Sequence, residues 1–554
     1  MIKITQTCEN GHETPITKRT SKCFCGKEVS FELEKFDFLS SINKSLNNMW
    51  RYKNILPVKE ENIISAGEGN TPIINLKELG DNLGINLYVK LETENPTGTF
   101  KDREASFVIS RSKEIKEDNI VLQSTGNTAI AMTYYAGLAD LNSYAFIPLI
   151  SAYKLSIPEK KDNNKIIAVD GTPLQVKELA SKFAEINHFP KISPFHERCE
   201  CNATQAYEIY EEVLNKKIPM PDFYIQVVSA GMGPIGFFYG AKRLSQQYNS
   251  IKLPKIICIQ NSEFAPMDKA FKENKDSLGE EGLTPEYPTN NPFEPTLHTT
   301  NSIAYYPYLK KAMQETNGLF PLVTPETTKK YSKEFSDALK KQGYELATTE
   351  NASFITYAGL VELVKSGKIP PGSNVLLMLT GKRKIPNYIT PDAIISPNHD
   401  PTTLLEELKE NKLKIENIIL GSDIKRKQLK EKIKELLIKK NIKFIDIGED
   451  DYVEIAKKVS NKVKENKYNR GILICRTGIG MQIVANKIPG IYAVKGNDIN
   501  SAIQSREVNN SNLITFGEEP NIPTIEKIIL AWLDTAFLNK YQEAFDKIKT
   551  LEKC

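Results

Sequence analysis

Residues 85–149 contain, in order, INLYVKLE (85–92), FKDREASFVISRSKEI (100–115), NIVLQS (119–124), TAIAMTYYAGLA (128–139) and SYAFIPL (143–149). The first, third and last are short apolar runs of strand length, whereas the other two are longer and carry a helical pattern. This alternation predicts a mostly parallel sheet covered by helices on both faces, because parallel neighbours must be joined by a crossover. Working outward, the alternation spans about residues 60–385, which sets the first α/β domain. The prolines of KIPNYITPDAIISPNHDP (384–401) interrupt it and mark a linker over 386–415. It then restarts with NIILGSD (417–423), KQLKEKIKELLIKKN (427–441), KFIDIGE (443–449) and RGILICRTGIG (470–480), so a second doubly wound α/β domain is expected over 416–554. Residues 1–59 stand apart as an amino-terminal segment with cysteines in TCENGH (7–12) and KCFCGK (22–27).

At 554 residues the chain exceeds a single hydrophobic core. Its 73 basic and 69 acidic residues nearly balance, and the Lys-rich helices carry Glu beside Lys, so no nucleic-acid footprint is expected. Apolar runs such as NVLLMLT (374–380) fall well short of a membrane span. MIKITQTCENGHE has no apolar signal core, and the eight scattered cysteines suit a reducing compartment, so a cytoplasmic protein is expected.

In α/β sheets, ligands sit where strands run into helix N-termini. Polar or glycine-rich turns of that kind are NPTGTFKDRE (95–104), QSTGNTA (123–129), SAGMGPIG (229–236) and LTGKRK (379–384). Free N–H groups at such turns favour carboxylates and phosphates. A lysine placed between a Gly-Thr-Phe turn and a helix start, Lys101, would be desolvated near an electropositive helix end, and an amine attacks carbonyls only when neutral.

Taken in order, GEGNTPI (67–73), LYVKLETENPTGTFKDR (87–103), STGNTA (124–129), GMGPIG (231–236), TTENASF (348–354) and LTG (379–381) resemble the fold-type II pyridoxal-phosphate enzymes, most closely the threonine synthases. The resemblance implies that Lys101 carries the aldehyde of pyridoxal 5'-phosphate, flanked by Phe100 and Asp102. It places Asn127 at the cofactor's phenolic oxygen, the backbone of the run Gly231, Met232, Gly233, Pro234, Ile235 and Gly236 at its phosphate, and Thr380 at the pyridine nitrogen. A neutral partner at that nitrogen suits elimination and replacement more than transamination. The substrate's carboxylate would lie on Ser124, Thr125 and Thr128, and freed Lys101 would take the α-proton. The implied reaction loses phosphate from O-phosphohomoserine and adds water to give threonine, with Ser193 and Arg198 holding the substrate phosphate. There ISPFHERCECNATQAYE (192–208) departs from the pattern: Ile192 replaces an expected Asn, and ECNATQ (200–205) replaces a Glu-Gly-Gln-Lys run. A cysteate synthase or a pyridoxal-phosphate thiolase subunit is the alternative.

IILGSDIKRKQLKEKI (418–433), RGILICRTGIGMQIVANKIPGIYAV (470–494) and SAIQSREVNNSNLITFG (501–517) resemble the ribose-5-phosphate isomerase B family, which includes galactose-6-phosphate isomerase subunits. The resemblance implies Cys475 as a proton-moving base with Asp423 and Thr477 beside the sugar. Two histidines of the family pattern are Ile424 and Val508 here, all five histidines lie at or before His399, and no arginine follows Arg506. Isoleucine and valine transfer no protons. A catalytically degenerate domain for dimerisation or ligand sensing, in a homodimer, is therefore expected; a live isomerase is the alternative.

Cys8, His12, Cys23 and Cys25 lie within 18 residues and suit a Cys3His structural zinc site. The one-residue spacing of Cys23 and Cys25 is unusual, and a hairpin with free thiols is the alternative.

Overall fold

The computed structural model describes residues 2–124, 126–192, 195–279, 293–299, 302–346, 350–382, 389, 391–410, 417–440, 442–466, 469–518, 520–535 and 542–553. The chain divides into two compact units, 1–388 and 389–554.

In the first unit, β1 (Ile4–Cys8), β2 (Glu13–Thr14) and β3 (Val29–Leu33) form a small antiparallel sheet in the order β2-β1-β3. The main body begins with β4 (Ile73–Asn75), β5 (Asn86–Leu91), β6 (Asn119–Gln123), β7 (Asn142–Pro148) and β8 (Asn164–Val169). It continues with β9 (Phe223–Val227), β10 (Lys255–Asn261), β11 (Leu322–Val323) and β12 (Asn374–Leu379). These strands form two sheets. One runs β11-β10-β9-β12-β5-β4, parallel throughout except for β4 against β5, and β6, β7 and β8 pair in parallel in the other.

Leu376 of β12 pairs with Tyr224 and Tyr88, and the next residue, Leu377, with Ile225 and Val89. Because successive side chains alternate, Leu376 and Met378 enter a core shared with the helices Phe195–Leu214 and Met232–Ser245. Leu377 and Leu379 enter another, shared with Pro325–Lys341 and Ala352–Lys365. Burial on both faces is why these strands read as nearly continuous apolar runs.

A charged network also crosses this interior. Arg103 bonds Glu92 at 2.7 and 2.8 Å and Glu208 at 2.6 and 2.8 Å, and Lys90 reaches Glu208 at 2.6 Å. All four side chains are buried. They bolt β5 and the helix Phe195–Leu214 to the helix Lys101–Glu114, two residues from its first residue, Lys101.

Residues 1–59 pack into this same unit. Trp50 stacks over Phe107 and donates from Nε1 to Glu68 and Ser106 at 2.9 and 2.8 Å, so the segment closes the core. The stretch 386–415, expected to be a linker, carries strand β13 (Ala393–Ile395) and the helix Pro401–Glu410. Its proline signal misled at Pro401, which sits at the first helical position, where the missing N–H costs nothing.

The second unit's main sheet contains β14 (Ile418–Asp423), β15 (Phe444–Asp450), β16 (Arg470–Ile474), β17 (Ala493–Lys495) and β18 (Leu513–Phe516). All its pairs are parallel, in the order β15-β14-β16-β18-β17. Ile418, Leu420, Ile472 and Ile474 face the helices Lys427–Lys439 and Ile522–Asp534, while Ile419 and Leu473 face Tyr452–Lys464. Helices thus cover both faces, as the sequence predicts. No helix among the described residues is long and apolar enough to cross a membrane.

Candidate active site

A cavity of about 590 Å³ opens in the first unit, lined among others by Lys101, Ser124, Asn127, Arg198, Gly231 and Thr380. Thr128 and Gly233 join the same wall, so loops separated by up to 279 positions in sequence converge as expected. Thr125 and Ser193 lie outside the described residues.

The helices Lys101–Glu114, Asn127–Leu138, Met232–Ser245 and Ala352–Lys365 start at or beside this cavity, and in each the N-cap residue makes no side-chain capping bond. Their caps are Phe100, Gly126, Gly231 and Asn351, and Asn351 turns its amide to Phe293 O instead. By contrast, Thr324 caps the helix Pro325–Lys341, which contributes nothing to the cavity wall. A helix start presents N–H groups without intrahelical partners and carries partial positive charge. At the Lys101 helix the first N–H groups are taken up by Thr99 Oγ1, Thr99 O and Phe100 O, so it is the starts at Gly126, Gly231 and Asn351 that suit a ligand with more than one anionic group.

Gly231 takes φ 93°, and a Cβ there would lie 2.7 Å from Leu309, so only glycine makes this turn. Of the expected binding run 231–236, Gly231, Met232, Gly233 and Pro234 line the cavity, and the helix begins at Met232. The Ile235 N–H is already bonded to Gly231 O at 3.1 Å, and neither Ile235 nor Gly236 lines the cavity. Gly236 serves packing: a Cβ on it would lie 2.2 Å from the Cβ of Asn202 on the neighbouring helix.

Lys101 opens its helix beneath a turn locked by its neighbour. Asp102 accepts from the Thr97 N–H at 3.1 and 3.2 Å and from its hydroxyl at 2.8 Å, and burial pushes its carboxyl up to about 7. The Lys101 ammonium sits 2.6 Å from Glu104, one helical turn on. Burial pushes it below the ordinary lysine range; Glu104 opposes that shift and Arg198 adds to it. Glu104 is the residue the sequence reading missed. It also accepts from Arg198 Nε at 3.1 Å and Asn202 Nδ2 at 3.0 Å. Against the burial that would raise it, Arg198 and Lys101 hold it at about 2. Arg198 further donates to Tyr305 Oη at 2.8 Å.

Asn127 donates to the buried Glu350 at 3.0 Å, another contact that was not anticipated. Thr380 is buried at the cavity wall, and its carbonyl accepts from the Phe100 N–H at 3.1 Å. That bond ties the end of β12 to the turn before Lys101.

These features fit pyridoxal phosphate. A depressed lysine suits the aldehyde, the Gly231 helix start suits the phosphate, and the Thr380 hydroxyl suits the ring nitrogen.

In the second unit, Asp423 accepts from the Lys425 N–H at 2.8 Å, which makes it a turn cap. Cys475 is buried with the Gly478 N–H 3.2 Å from its sulfur, and the Thr477 Oγ1 lies 3.4 Å from the Ile479 N–H. Ile424 is 64% exposed beside Asp423.

Residues 64–381 match the pyridoxal-phosphate dependent enzyme family, and residues 418–548 the ribose/galactose isomerase family. Over 377 residues, 65% of this chain and 98% of the relative, the chain is 28% identical to a threonine synthase of Halalkalibacterium halodurans. It is also 28% identical to a threonine synthase of Methanocaldococcus jannaschii over 394 residues, 68% of this chain and 91% of that one. The carboxyl-terminal part is 39% identical over 142 residues to ribose-5-P isomerase B of Listeria innocua, covering 24% of this chain and 95% of the relative. The chain therefore belongs to the pyridoxal-phosphate dependent enzymes over residues 64–381, as a lyase similar to the threonine synthases, and to the ribose/galactose isomerase family over residues 418–548.

Proposed function

We propose that the first unit converts O-phosphohomoserine to threonine, releasing phosphate and adding water. The observation that carries this reading is the half-buried, depressed Lys101 facing a cavity bordered by the helix starts at Gly126, Gly231 and Asn351, whose cap residues make no side-chain capping bond. Bound pyridoxal phosphate would draw electron density from the bonds at the substrate's Cα. Gly231, Met232 and Gly233 would hold its phosphate, Asn127 its phenolic oxygen and Thr380 its ring nitrogen. Ser124 and Thr128, with the amides between them, would take the substrate's carboxylate. The Lys101 amine would then remove the α-proton, with Glu104 stabilising the ammonium that results.

Glu104 also favours a second reading. Arg198, the cation expected to take the substrate's phosphate, already shares a carboxylate at 3.1 Å, and an incoming phosphate dianion would meet that like charge. An amino acid with a neutral distal group, such as an unphosphorylated hydroxy amino acid, escapes that repulsion. Phosphate release and threonine formation from O-phosphohomoserine, measured beside 2-oxo acid release from serine, threonine and homoserine, separates the readings. The first expects turnover of the phosphorylated substrate alone. The second expects the reverse in wild type, with Glu104→Gln shifting kcat/KM towards the phosphorylated substrate. Neither activity in the cofactor-loaded protein would leave only the family.

For the second unit we infer that sugar-phosphate isomerisation has been lost. Ile424 and Val508 carry no titratable group, and the side-chain hydrogen bonds of Asp423 and Cys475 among the described residues are local turn contacts. The full chain is expected to show no conversion of ribose 5-phosphate to ribulose 5-phosphate. Turnover that disappears in Cys475→Ser would contradict this.

A further inference from the structure

The sulfurs of Cys8, Cys23 and Cys25 and a ring nitrogen of His12 all lie within 4.8 Å of one another. Cys8 Sγ is 3.6 Å from His12 Nδ1 and 3.7 Å from Cys25 Sγ, and Cys23 Sγ is 3.7 Å from His12 Nδ1. Zinc bound tetrahedrally at about 2.3 Å to sulfur and about 2.0–2.1 Å to nitrogen requires S–S edges of about 3.8 Å and S–N edges of about 3.6 Å. The three distances match those edges. The 3.7 Å between the Cys8 and Cys25 sulfurs is far too long for a disulfide, whose S–S bond is about 2.05 Å.

The backbone is shaped to match. Gly11 and Gly26, at φ 77° and 82°, close tight turns in which their N–H groups donate to Cys8 O and Cys23 O at 2.8 Å. Each turn brings ligands of one close pair together, Cys8 with His12 and Cys23 with Cys25. The one-residue spacing of the second pair is accommodated because Cys23 meets His12 while Cys25 meets Cys8. Asn10 Nδ2 lies 3.6 Å from Cys25 Sγ, an N–H available to a thiolate.

The segment between the pairs reaches the active site. Arg19 and Ser21 line the same cavity as Lys101. Arg19 donates to Val108 O at 3.3 Å and Ser112 Oγ at 3.0 Å on the Lys101 helix, and to Glu117 just beyond it at 3.1 and 3.2 Å. It also pairs with Glu197, the residue before Arg198. Arg111, again on the Lys101 helix, donates to Ile16 O at 2.5 Å.

We propose that Cys8, His12, Cys23 and Cys25 bind one zinc ion, and that the ion braces the segment 13–22 as a wall of the active-site cavity. Thiolate and imidazole donors in a closed tetrahedral set match structural zinc and leave no position for substrate. The binding claim does not depend on which amino acid the enzyme takes.

The full-length protein should retain one zinc per chain by elemental analysis, and Cys25→Ser should lose it. Cobalt exchanged into wild type should give intense tetrahedral d–d bands and a sulfur-to-cobalt charge-transfer band, a readout that needs no variant to fold. Chelation should raise hydrogen exchange across residues 13–22 and the first turn of the helix Phe195–Leu214, and Arg19→Ala should reproduce the latter with zinc still bound. Absence of zinc together with absence of the cobalt bands overturns the site. Bound metal whose removal leaves exchange in 13–22 unchanged overturns the bracing role.

Discussion

Lys101→Ala should lower turnover of the preferred amino acid by at least about 10²–10⁴-fold, the range expected when a positioned proton-transfer group is removed. The cofactor should still enter the cavity, because the helix starts at Gly126 and Gly231 and the hydroxyl of Thr380 are untouched. It should then be held without a covalent link and wash out on dialysis, whereas wild type retains it. Lys101→Arg should be no better, since guanidinium stays protonated at any accessible pH. Steady-state kinetics beside cofactor retention checks both variants. Near-normal turnover in Lys101→Ala would show that the depressed amine beside Glu104 is an incidental ion pair.

Glu208→Ala should cost the first unit about 3–5 kcal/mol of stability, the usual penalty for stranding a buried charge. Glu208 accepts from both Arg103 and Lys90 at 2.6 Å, and removing it leaves the Lys90 ammonium bonded to the Thr71 carbonyl without its carboxylate acceptor. Because Arg103 follows Lys101 by two residues, the loss should reach the active site as weaker cofactor retention. Denaturant unfolding of wild type and variant measures the effect, and a change under about 1 kcal/mol would mean that the pairing barely exceeds its desolvation cost.

The same carboxylates set the acid limit. Glu104 and Glu208 are both held at about 2, below the ordinary 4.5, so folding binds fewer protons than unfolding in that interval. Their contribution is complete above pH 4.5 and fades as pH falls towards 2. Asp102 works in the opposite sense: raised from 3.8 to about 7, it favours the folded state at low pH, and that advantage is lost as pH rises through the interval.

Sequence periodicity revealed the two α/β bodies because strands buried on both faces read as unbroken apolar runs. The turn around Lys101 was legible for a local reason: Gly98, at φ 87°, and the Thr97–Asp102 bonds all fall within residues 97–102 of the quoted motif. Glu104 stood in that motif too. Its i,i+3 spacing placed it near Lys101, but its hold on Arg198 closes across 94 positions, which no local pattern encodes. Within the run 231–236 the sequence does not separate the two uses of glycine, in anion-binding turns and in close helix contacts. Only the position of Asn202 shows that Gly236 is the second kind. Likewise Pro401 looked like a linker residue and is a helix start.

Reduction of the purified protein with borohydride, followed by peptide mass mapping, tests the central assignment most directly. A pyridoxyl adduct confined to Lys101 is the predicted result. An adduct on another lysine, or none on a protein that retains the cofactor, would contradict it.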